Sequence, residues 1–248
     1  MRSPRARRRS LRLPMSPDRR NDRRTLSLAL AGLVLPVALY APGGAQAQTS
    51  ITLGLVSEYS LRGLSLSDGR PAPQLRIDHD TDSGWYGGAF VSRMALRASP
   101  ATALAIGYAG YARRLPSGWS WDAGVKRAVF LRDARNSYVE AYAGISHDDA
   151  GARLSLSPAY YGAGRSAYFE LNGVQPLGER WRLSGHAGLL HWLSGYGAAA
   201  RNRIDLRAAI ATDIGDASIE IGVQARQRDP GLRAARARAL FAGASLGF

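Results

Sequence analysis

The chain has 248 residues, no cysteine and a formal net charge of +14. Without cysteine, the chain has no disulfide framework, thiolate metal site or cysteine nucleophile. A strongly basic protein suggests a nucleic-acid partner. However, residues 1–47 contain ten arginines and two aspartates, a net charge of +8, so the rest of the chain is only mildly basic. This distribution argues against nucleic-acid binding.

Residues 1–47 have the pattern of a basic extension followed by a secretory signal peptide. Arginines occupy positions 19, 20, 23 and 24, residues 26–41 are uncharged and mainly apolar, and Ala45-Gln46-Ala47 supplies the small residues that signal peptidase requires. The apolar run is shorter than the roughly 20 residues of a membrane-spanning helix. We therefore expect cleavage before Gln48, with Met15 as an alternative translation start. A retained N-terminal anchor is the competing interpretation.

Residues 48–248 alternate apolar and polar side chains over runs of about ten residues, separated by clusters of Gly, Asp, Pro and Ser. Successive side chains of a strand face opposite ways, so this period of two predicts β-strands between two different environments. The first run extends from Ile51 to Arg62 and places Tyr59 and Leu61 on its apolar face. The runs number about twelve, with a range of ten to fourteen, and no apolar stretch is long enough for a transmembrane helix.

The connections between these runs alternate in length. Every second connection is tight, as at residues 80–84, 115–118, 147–151, 177–180 and 215–216, whereas the others include the longer segments 63–72, 194–202 and 227–236. Soluble β-sandwiches also alternate apolar and polar residues. Short turns at one end, longer loops at the other and an even number of strands are typical of bacterial outer-membrane barrels.

We therefore predict an all-β fold, a transmembrane antiparallel up-and-down β-barrel over residues 48–248. Hydrocarbon cannot hydrogen-bond an open sheet edge, so the sheet must close. The polar faces must then line the lumen, where water or opposite charges solvate ionised groups. The lumen-facing candidates are Arg62, Asp122, Lys126, Glu140, Arg153, Glu170, Arg182, Asp205, Arg207, Glu220 and Arg226.

Aromatic residues lie near the ends of several runs, where interfacial girdles form in membrane barrels. The candidates for these girdles are Tyr59, Trp85, Trp119, Tyr138, Tyr168, Trp181 and Trp192. The chain ends on a further alternating run, with Leu246 and Phe248 as its last apolar residues. We interpret these two as a C-terminal signal for the barrel assembly machinery.

Two segments resemble a known family. The first is SEYSLRGLSLSDGRPAPQL (57–75), with Tyr59, Arg62-Gly63, Ser67-Asp68-Gly69 and Pro71; the second is DSGWYGGAFVSR (82–93), with Gly84, Tyr86 and Gly87. This pattern resembles the TorF-type porins, a proteobacterial family. The resemblance implies an outer-membrane β-barrel with a porin role, and it carries over no substrate. The arginine-rich segment 226–238 departs from the family pattern.

Other motifs favour ordinary structural interpretations. The residue types at 162–167 match a dinucleotide-binding motif. That motif requires a helix after it, whereas the run that follows here alternates like a β-strand. Asp78, Asp80 and Asp82 with His79 lack the glutamate of a complete EF-hand loop. The four histidines show no metal-binding spacing. We therefore expect neither a metal nor a cofactor.

The function predicted from the sequence is passive diffusion of small hydrophilic solutes through a porin-like channel in the cell outer membrane. Arg207, Arg226 and the arginine-rich loops 201–203 and 226–238 predict a preference for anions and contact with lipopolysaccharide phosphates, because guanidinium pairs bidentately with phosphate and carboxylate. A non-conducting structural or adhesive barrel is the main alternative. A barrel-embedded hydrolase is a further one, because Ser and His of a catalytic pair can be distant in sequence.

Overall fold

The computed structural model describes residues 48–96, 99–195, 202–226 and 238–248, and the side chains of Arg226 and Arg238 are not among the described atoms. The predicted signal peptide, Met15 and most of the arginine-rich loops lie outside these ranges. The strands are β1 (Gln48–Val56), the short β2 (Ser60–Leu61) and β3 (Leu64–Ser65), β4 (Ala72–Asp80), β5 (Trp85–Arg93), β6 (Ala103–Arg114), β7 (Ser120–Leu131), β8 (Tyr138–His147), β9 (Ala150–Tyr160), β10 (Gly164–Leu177), β11 (Trp181–Trp192), β12 (Arg203–Ile214), β13 (Ala217–Arg226) and β14 (Arg238–Gly247).

Twelve of these strands form one closed antiparallel barrel, which confirms the predicted fold. Each strand from β4 to β14 pairs with its neighbour in sequence, and β1 pairs with both β4 and β14. Opposite Leu53, for example, lie Leu75 on β4 and Leu246 on β14. Apart from the 3₁₀ turn Ala134–Asn136, the described chain contains no helix, and so none long and apolar enough to cross a membrane.

The two ends of the barrel differ in the length of their connections. At one end, here the turn end, the connections are residues 81–84, 115–119, 148–149, 178–180 and 215–216. At the other, the loop end, they are residues 57–71, 94–102, 132–137, 161–163, 193–202 and 227–237. The predicted alternation is thus confirmed, with 161–163 as a short exception. Gly84 shows how a tight turn constrains its sequence, because its φ is +93° and an added Cβ would lie 2.5 Å from the Ala112 carbonyl oxygen.

The outer surface of the barrel is apolar. Leu55, Val125, Ile145, Ile210 and Ile221 are among the large side chains that remain exposed there, as expected for a surface that faces lipid. Trp85, Trp119 and Trp181 are exposed at the turn end, where a girdle was predicted.

The other predicted girdle residues do not face outward. Tyr59, Tyr138 and Tyr168 are buried inside the barrel, and Trp192 packs against Tyr160. The girdle assignment was therefore wrong for the three tyrosines.

The loop-end half of the barrel encloses an apolar core, a departure from the predicted polar lumen. β1 ends at Val56, so Tyr59 and Leu61 are not on the outer face of a long first strand but belong to the loop 57–71, which folds into the barrel. On β6, the larger apolar residues Leu104 and Ile106 face inward and are almost fully buried. They face inward because the loop 57–71 supplies apolar side chains for them to pack against. Leu66, which is fully buried, belongs to the same apolar cluster.

Aromatic rings inside the barrel closely approach glycines of neighbouring strands. A Cβ on Gly110 would lie 2.5 Å from the hydroxyl of Tyr86 and 2.6 Å from the Ala123 carbonyl oxygen. The same relation joins Gly88 to Tyr108, Gly124 to Tyr142, Gly188 to Tyr168 and Gly222 to Phe241. Glycine at these inward positions therefore makes room for a ring from an adjacent strand.

Substitution of Gly110 tests this packing. We expect G110A to lower the free energy of unfolding by about 1–3 kcal/mol, because the added methyl group overpacks a closed contact. Urea titration of refolded protein in detergent, followed by electrophoretic mobility, measures this change. G107A is the matched control on β6, since a Cβ on Gly107 meets nothing within 4 Å. Equal stability of G110A and G107A would contradict the proposed packing.

Candidate functional site

The loop 57–71, here called the inward hairpin, is shaped by two tight turns. β2 and β3 pair Leu61 with Leu64, so Arg62 and Gly63 form a two-residue turn, with φ values of 49° and 71°. Positive φ at both central residues defines the hairpin turn that matches the twist of paired strands, and Gly supplies it without strain. Asp68 and Gly69 repeat the pattern with φ values of 52° and 72°. The family-like motif therefore consists largely of turn-forming residues.

Backbone hydrogen bonds hold the inward hairpin in the barrel. The Tyr59 N–H donates to the Ser67 hydroxyl at 2.9 Å, and the Leu66 N–H donates to the Tyr59 carbonyl at 2.8 Å. The Ala95 N–H, in the next loop, donates to the Leu66 carbonyl at 2.8 Å. The Tyr59 ring packs against Phe90 on β5, with centroids 5.7 Å apart. These contacts fix the hairpin against the β4–β6 side of the wall.

At the tip of the inward hairpin, Arg62 makes a bidentate ion pair with Glu140 on β8. Arg62 Nη1 and Nη2 lie 2.5 and 2.8 Å from the two carboxylate oxygens, and Lys126 Nζ on β7 lies 2.9 Å from Oε2. The side chains of Arg62, Glu140 and Lys126 are only 4, 0 and 7 % exposed. Two buried cations thus share one buried carboxylate. We call this group the Arg62 latch.

Aromatic rings enclose the latch. The Arg62 guanidinium lies 4.1 Å from the centroid of Tyr168 and 5.2 Å from that of Tyr160. Burial opposes the charge of Arg62, and the Glu140 carboxylate in direct contact compensates for that charge. A buried ion pair that loses one partner leaves an uncompensated charge, which costs about 3–5 kcal/mol. Glu140 is therefore the residue on which the hairpin's position depends most.

Further polar networks lie inside the barrel. Asp122 accepts from Tyr86 and from Arg153, each at 2.9 Å, and the Tyr86 and Tyr142 hydroxyls lie 2.8 Å apart. A second network joins His186 to Asp205 at 2.9 Å and to Asn172 at 2.7 Å.

The remaining arginine pairs lie on β11, β12 and β13. Arg207 is 3.0 Å from Glu220, and Arg182 is paired with Asp213. Within the part of the chain that the structure describes, each of these inward arginines lies beside a carboxylate.

The structure places the following sequence-predicted candidates inside the barrel: Arg62, Asp122, Lys126, Glu140, Arg153, Glu170, Arg182, Asp205, Arg207 and Glu220. Arg62 reaches this position from a loop turn and not from a strand, which corrects its expected placement. Arg226 is the last residue of β13, and its side chain lies outside the described atoms. Glu170 is buried and has no hydrogen bond or ion pair to another described residue.

Tyr142, Tyr168 and His186 also take part in these networks, although they are not among the charged lumen candidates. Tyr142 and His186 lie on the polar faces of their runs, in phase with Glu140 and Arg182, so the alternation predicted their inward positions. Tyr168 is two residues from Glu170, so strand phase also pointed inward. It was assigned to a girdle because a tyrosine is compatible with either face.

The lumen differs in solvent access from one end to the other. Around the Arg62 latch the side chains are buried, whereas Asp213, near the turn end, is 40 % exposed and Asp78 and Asp80 are half-buried. The barrel is thus open to solvent at the turn end and filled at the loop end by the inward hairpin and its apolar partners.

The described residues show none of the metal, nucleotide-binding or Ser–His arrangements that the sequence raised for consideration. Among the described residues, no three His, Asp or Glu side chains are grouped to hold a metal ion, and His79 is bonded to Thr49 at 2.8 Å. Residues 162–164 lead into strand β10 and not into a helix. No Ser–His hydrogen bond occurs in the described ranges.

A closed twelve-stranded barrel with an apolar exterior and a charged interior has the fold of the outer-membrane porins. The chain belongs to the family described as "Bacterial protein of unknown function (Gcw_chp)", whose model matches residues 41–229. That description does not include the name TorF, so this part of the resemblance stays a prediction. No curated protein sequence matches the chain.

Solved porins share the fold at low sequence identity. A structure titled "KdgM porin" is 12 % identical, covers 80 % of this chain and 99 % of its own, and has a TM-score of 0.56. A second, "KdgM porin in complex with disordered oligogalacturonate", is 15 % identical with the same coverage and TM-score. A NanC porin structure is 12 % identical, covers 81 % of this chain and 98 % of its own, and has a TM-score of 0.54.

Proteolysis tests the Arg62 latch. We expect E140Q to speed trypsin cleavage after Arg62 by at least about tenfold, because loss of the carboxylate leaves two buried cations unpaired and frees the hairpin. Cleavage of refolded protein in detergent, with fragments identified by mass spectrometry, measures the rate. The other arginine of the hairpin, Arg70, is exposed but precedes Pro71 and is a poor trypsin site.

E220Q is the matched control for this experiment, because Glu220 is a buried lumen carboxylate that pairs with Arg207, away from the hairpin. Its trypsin pattern should match that of the wild type. An unchanged rate in E140Q, or an equal increase in E220Q, would rule out a specific role for the latch.

Proposed function

We propose that this protein is a porin-like channel of the outer membrane, through which small hydrophilic solutes diffuse. We further propose that the inward hairpin blocks the lumen in the conformation described above. The observation that carries the proposal is a closed barrel with an apolar exterior and ion-paired side chains inside. The turn end, which contains both the beginning of β1 and the end of β14, would face the periplasm. The loop end would face the cell surface.

The size of the barrel is compatible with a gated channel. Eight-stranded barrels are filled by their side chains, and barrels of 16 or more strands contain an aqueous channel. Twelve strands lie between these cases, so the position of the 15-residue loop 57–71 decides whether the lumen is continuous. Release of Arg62 from Glu140 would allow the hairpin to leave the lumen while its ends remain attached to β1 and β4.

A non-conducting barrel is the second candidate. The pairs Arg153–Asp122, Arg207–Glu220 and Arg182–Asp213 connect wall strands to one another, an arrangement that also suits a permanently filled interior. In that case the surface loops would carry a structural or adhesive function. Conductance separates this candidate from a gated channel.

Export and assembly are part of the proposal. Residues 1–47 would direct export and be removed before Gln48. The side chains of Leu246 and Phe248 are 39 and 69 % exposed at the β1–β14 seam, where the assembly machinery would meet the last strand.

Single-channel recording tests the gate. Replacing residues 58–70 with a short Gly-Ser linker should give a larger and more continuous conductance than the wild type, because the core at the loop end would lose its central element. E140Q should raise the open fraction through release of the same loop. Planar bilayers with refolded protein provide the measurement.

The same linker in place of residues 227–237 is the control, and it should leave closure by the inward hairpin intact. Silence of all the variants would favour the non-conducting barrel. Equal conductance of the wild type and the 58–70 replacement would show that the hairpin is not the gate.

Anion preference in this proposal rests on the arginine-rich loops, because the inward arginines Arg153, Arg182 and Arg207 are each matched by a carboxylate. KdgM, of similar fold, has been crystallised with oligogalacturonate, an acidic sugar chain. For the present protein, acidic solutes of this kind would be attracted by the basic segment 226–238.

Reversal potentials in a KCl gradient test this preference. We expect the open channel to favour chloride, and replacement of Arg228, Arg233 and Arg236 by glutamine should reduce the preference because surface charge sets the local ion concentration. The 58–70 linker variant is the suitable background, since its channel is open. Cation selectivity of that channel would refute the expected preference.

A further inference from the structure

Arg127 lies on the apolar outer surface of the barrel, away from the ends of its strand. Arg127 lies on β7 between Val125 and Val129, and its neighbour Lys126 points inward to Glu140, so strand alternation directs Arg127 outward. Its register partners are Gly107 on β6 and Val139 on β8. An added Cβ on Gly107 would meet nothing within 4 Å, so this part of the surface is open. Arg127 is itself exposed.

A charge at such a position requires a polar environment. An arginine on the lipid face of a barrel is strongly destabilising at the bilayer midplane and only weakly so near the interface. The long side chain of Arg127 reduces this cost by extending its guanidinium towards the nearer interface. Because Arg127 lies in the half of β7 nearer the loop end, that interface is at the loop end.

Further exposed arginines lie on the same side of the loop end. Arg132 and Arg135 belong to the loop between β7 and β8, and Arg165 is the second residue of β10. The loops are in contact, because a Cβ added to Gly162, just before β10, would collide with the Arg135 carbonyl oxygen. Together with Arg127 these residues form what we call the arginine face.

The arginine face has little negative charge of its own. Asp133, the acidic residue of the 132–137 loop, is 5 % exposed and accepts hydrogen bonds from Ser99 and Asn136 at 2.6 and 2.7 Å. Arg135 lies 3.7 Å from it, but the Arg135 side chain is 90 % exposed. Within the described ranges, Arg127 and Arg132 have no ion pair, and Arg165 donates to the Ser194 hydroxyl at 2.9 Å. The guanidinium groups are therefore available to an external anion.

We infer that the arginine face binds the phosphate groups of lipopolysaccharide in the outer leaflet. Guanidinium groups pair bidentately with phosphate, and these bonds are stronger than those between neutral groups. A lipid phosphate at the loop-end interface also removes the cost of an outward Arg127. The inference rests on the proposed orientation, with the loop end at the cell surface, but not on conduction through the lumen.

Retention of lipopolysaccharide by purified protein provides the test. Refolded protein is incubated with phosphorylated or phosphatase-treated lipopolysaccharide, separated from free lipid by size exclusion in detergent, and the bound lipid is quantified. We expect the phosphorylated form to be retained at least about tenfold better, as the loss of one charge-assisted contact already accounts for such a factor. This comparison needs only the wild-type chain.

Substitution then assigns the site. R127Q/R132Q/R135Q should lose most of this retention, whereas R113Q should keep it, because Arg113 is an exposed outward arginine at the turn end of β6. Heat-modifiable mobility verifies that each variant is a folded barrel. Equal retention of the two lipid forms, or equal losses in R113Q and the triple variant, would overturn the inference, as would equal retention of phosphatidylglycerol. A barrel that is silent in bilayers but retains phosphorylated lipopolysaccharide would contradict the channel and support the arginine face.

Discussion

The hydrogen-bonding requirement of the backbone governs this structure. A strand in hydrocarbon cannot leave its N–H and C=O groups unpaired, because each unsatisfied group costs several kcal/mol. Pairing of β1 with β14 meets this requirement for the last free edges of the sheet. Closure also divides the side chains of every strand into those that face outward and those that face the lumen. The remaining features of the molecule depend on what the lumen-facing side chains contact.

The lumen-facing side chains contact the inward hairpin at the loop end and solvent at the turn end. At the loop end, Leu61 and Leu66 of the inward hairpin pack against apolar residues of β5, β6 and β7, such as Phe90 and Leu104. Arg62 at its tip is placed among tyrosines and can be stable there only because Glu140 is within direct contact. Hydrophobic burial thus supplies most of the hairpin's attachment, and the ion pair determines where its tip lies.

Period-two patterning predicted the barrel, its twelve strands and the alternation of connection lengths, because these depend on local sequence. It could not predict which face of β6 points inward. Leu104 and Ile106 would be lipid-facing in an empty barrel, and only the hairpin, folded in from another part of the chain, makes the interior apolar there. The same limit explains Tyr59, Tyr138 and Tyr168, since a tyrosine suits a membrane interface and a packed lumen equally. The Arg62–Glu140 contact joins residues 78 positions apart, a relation that a single sequence does not contain.

The unequal solvent access of the two ends has an electrical consequence. In the proposed channel, ions that enter the turn end would make that half of the lumen conductive, and a potential across the membrane would fall mainly over the half around Arg62, Lys126 and Glu140. Transfer of one elementary charge through 100 mV is worth about 2.3 kcal/mol. Arg62 is the charge of this group that would move with the hairpin, so a voltage would act directly on its bond to Glu140, with a sign set by which side of the membrane is positive.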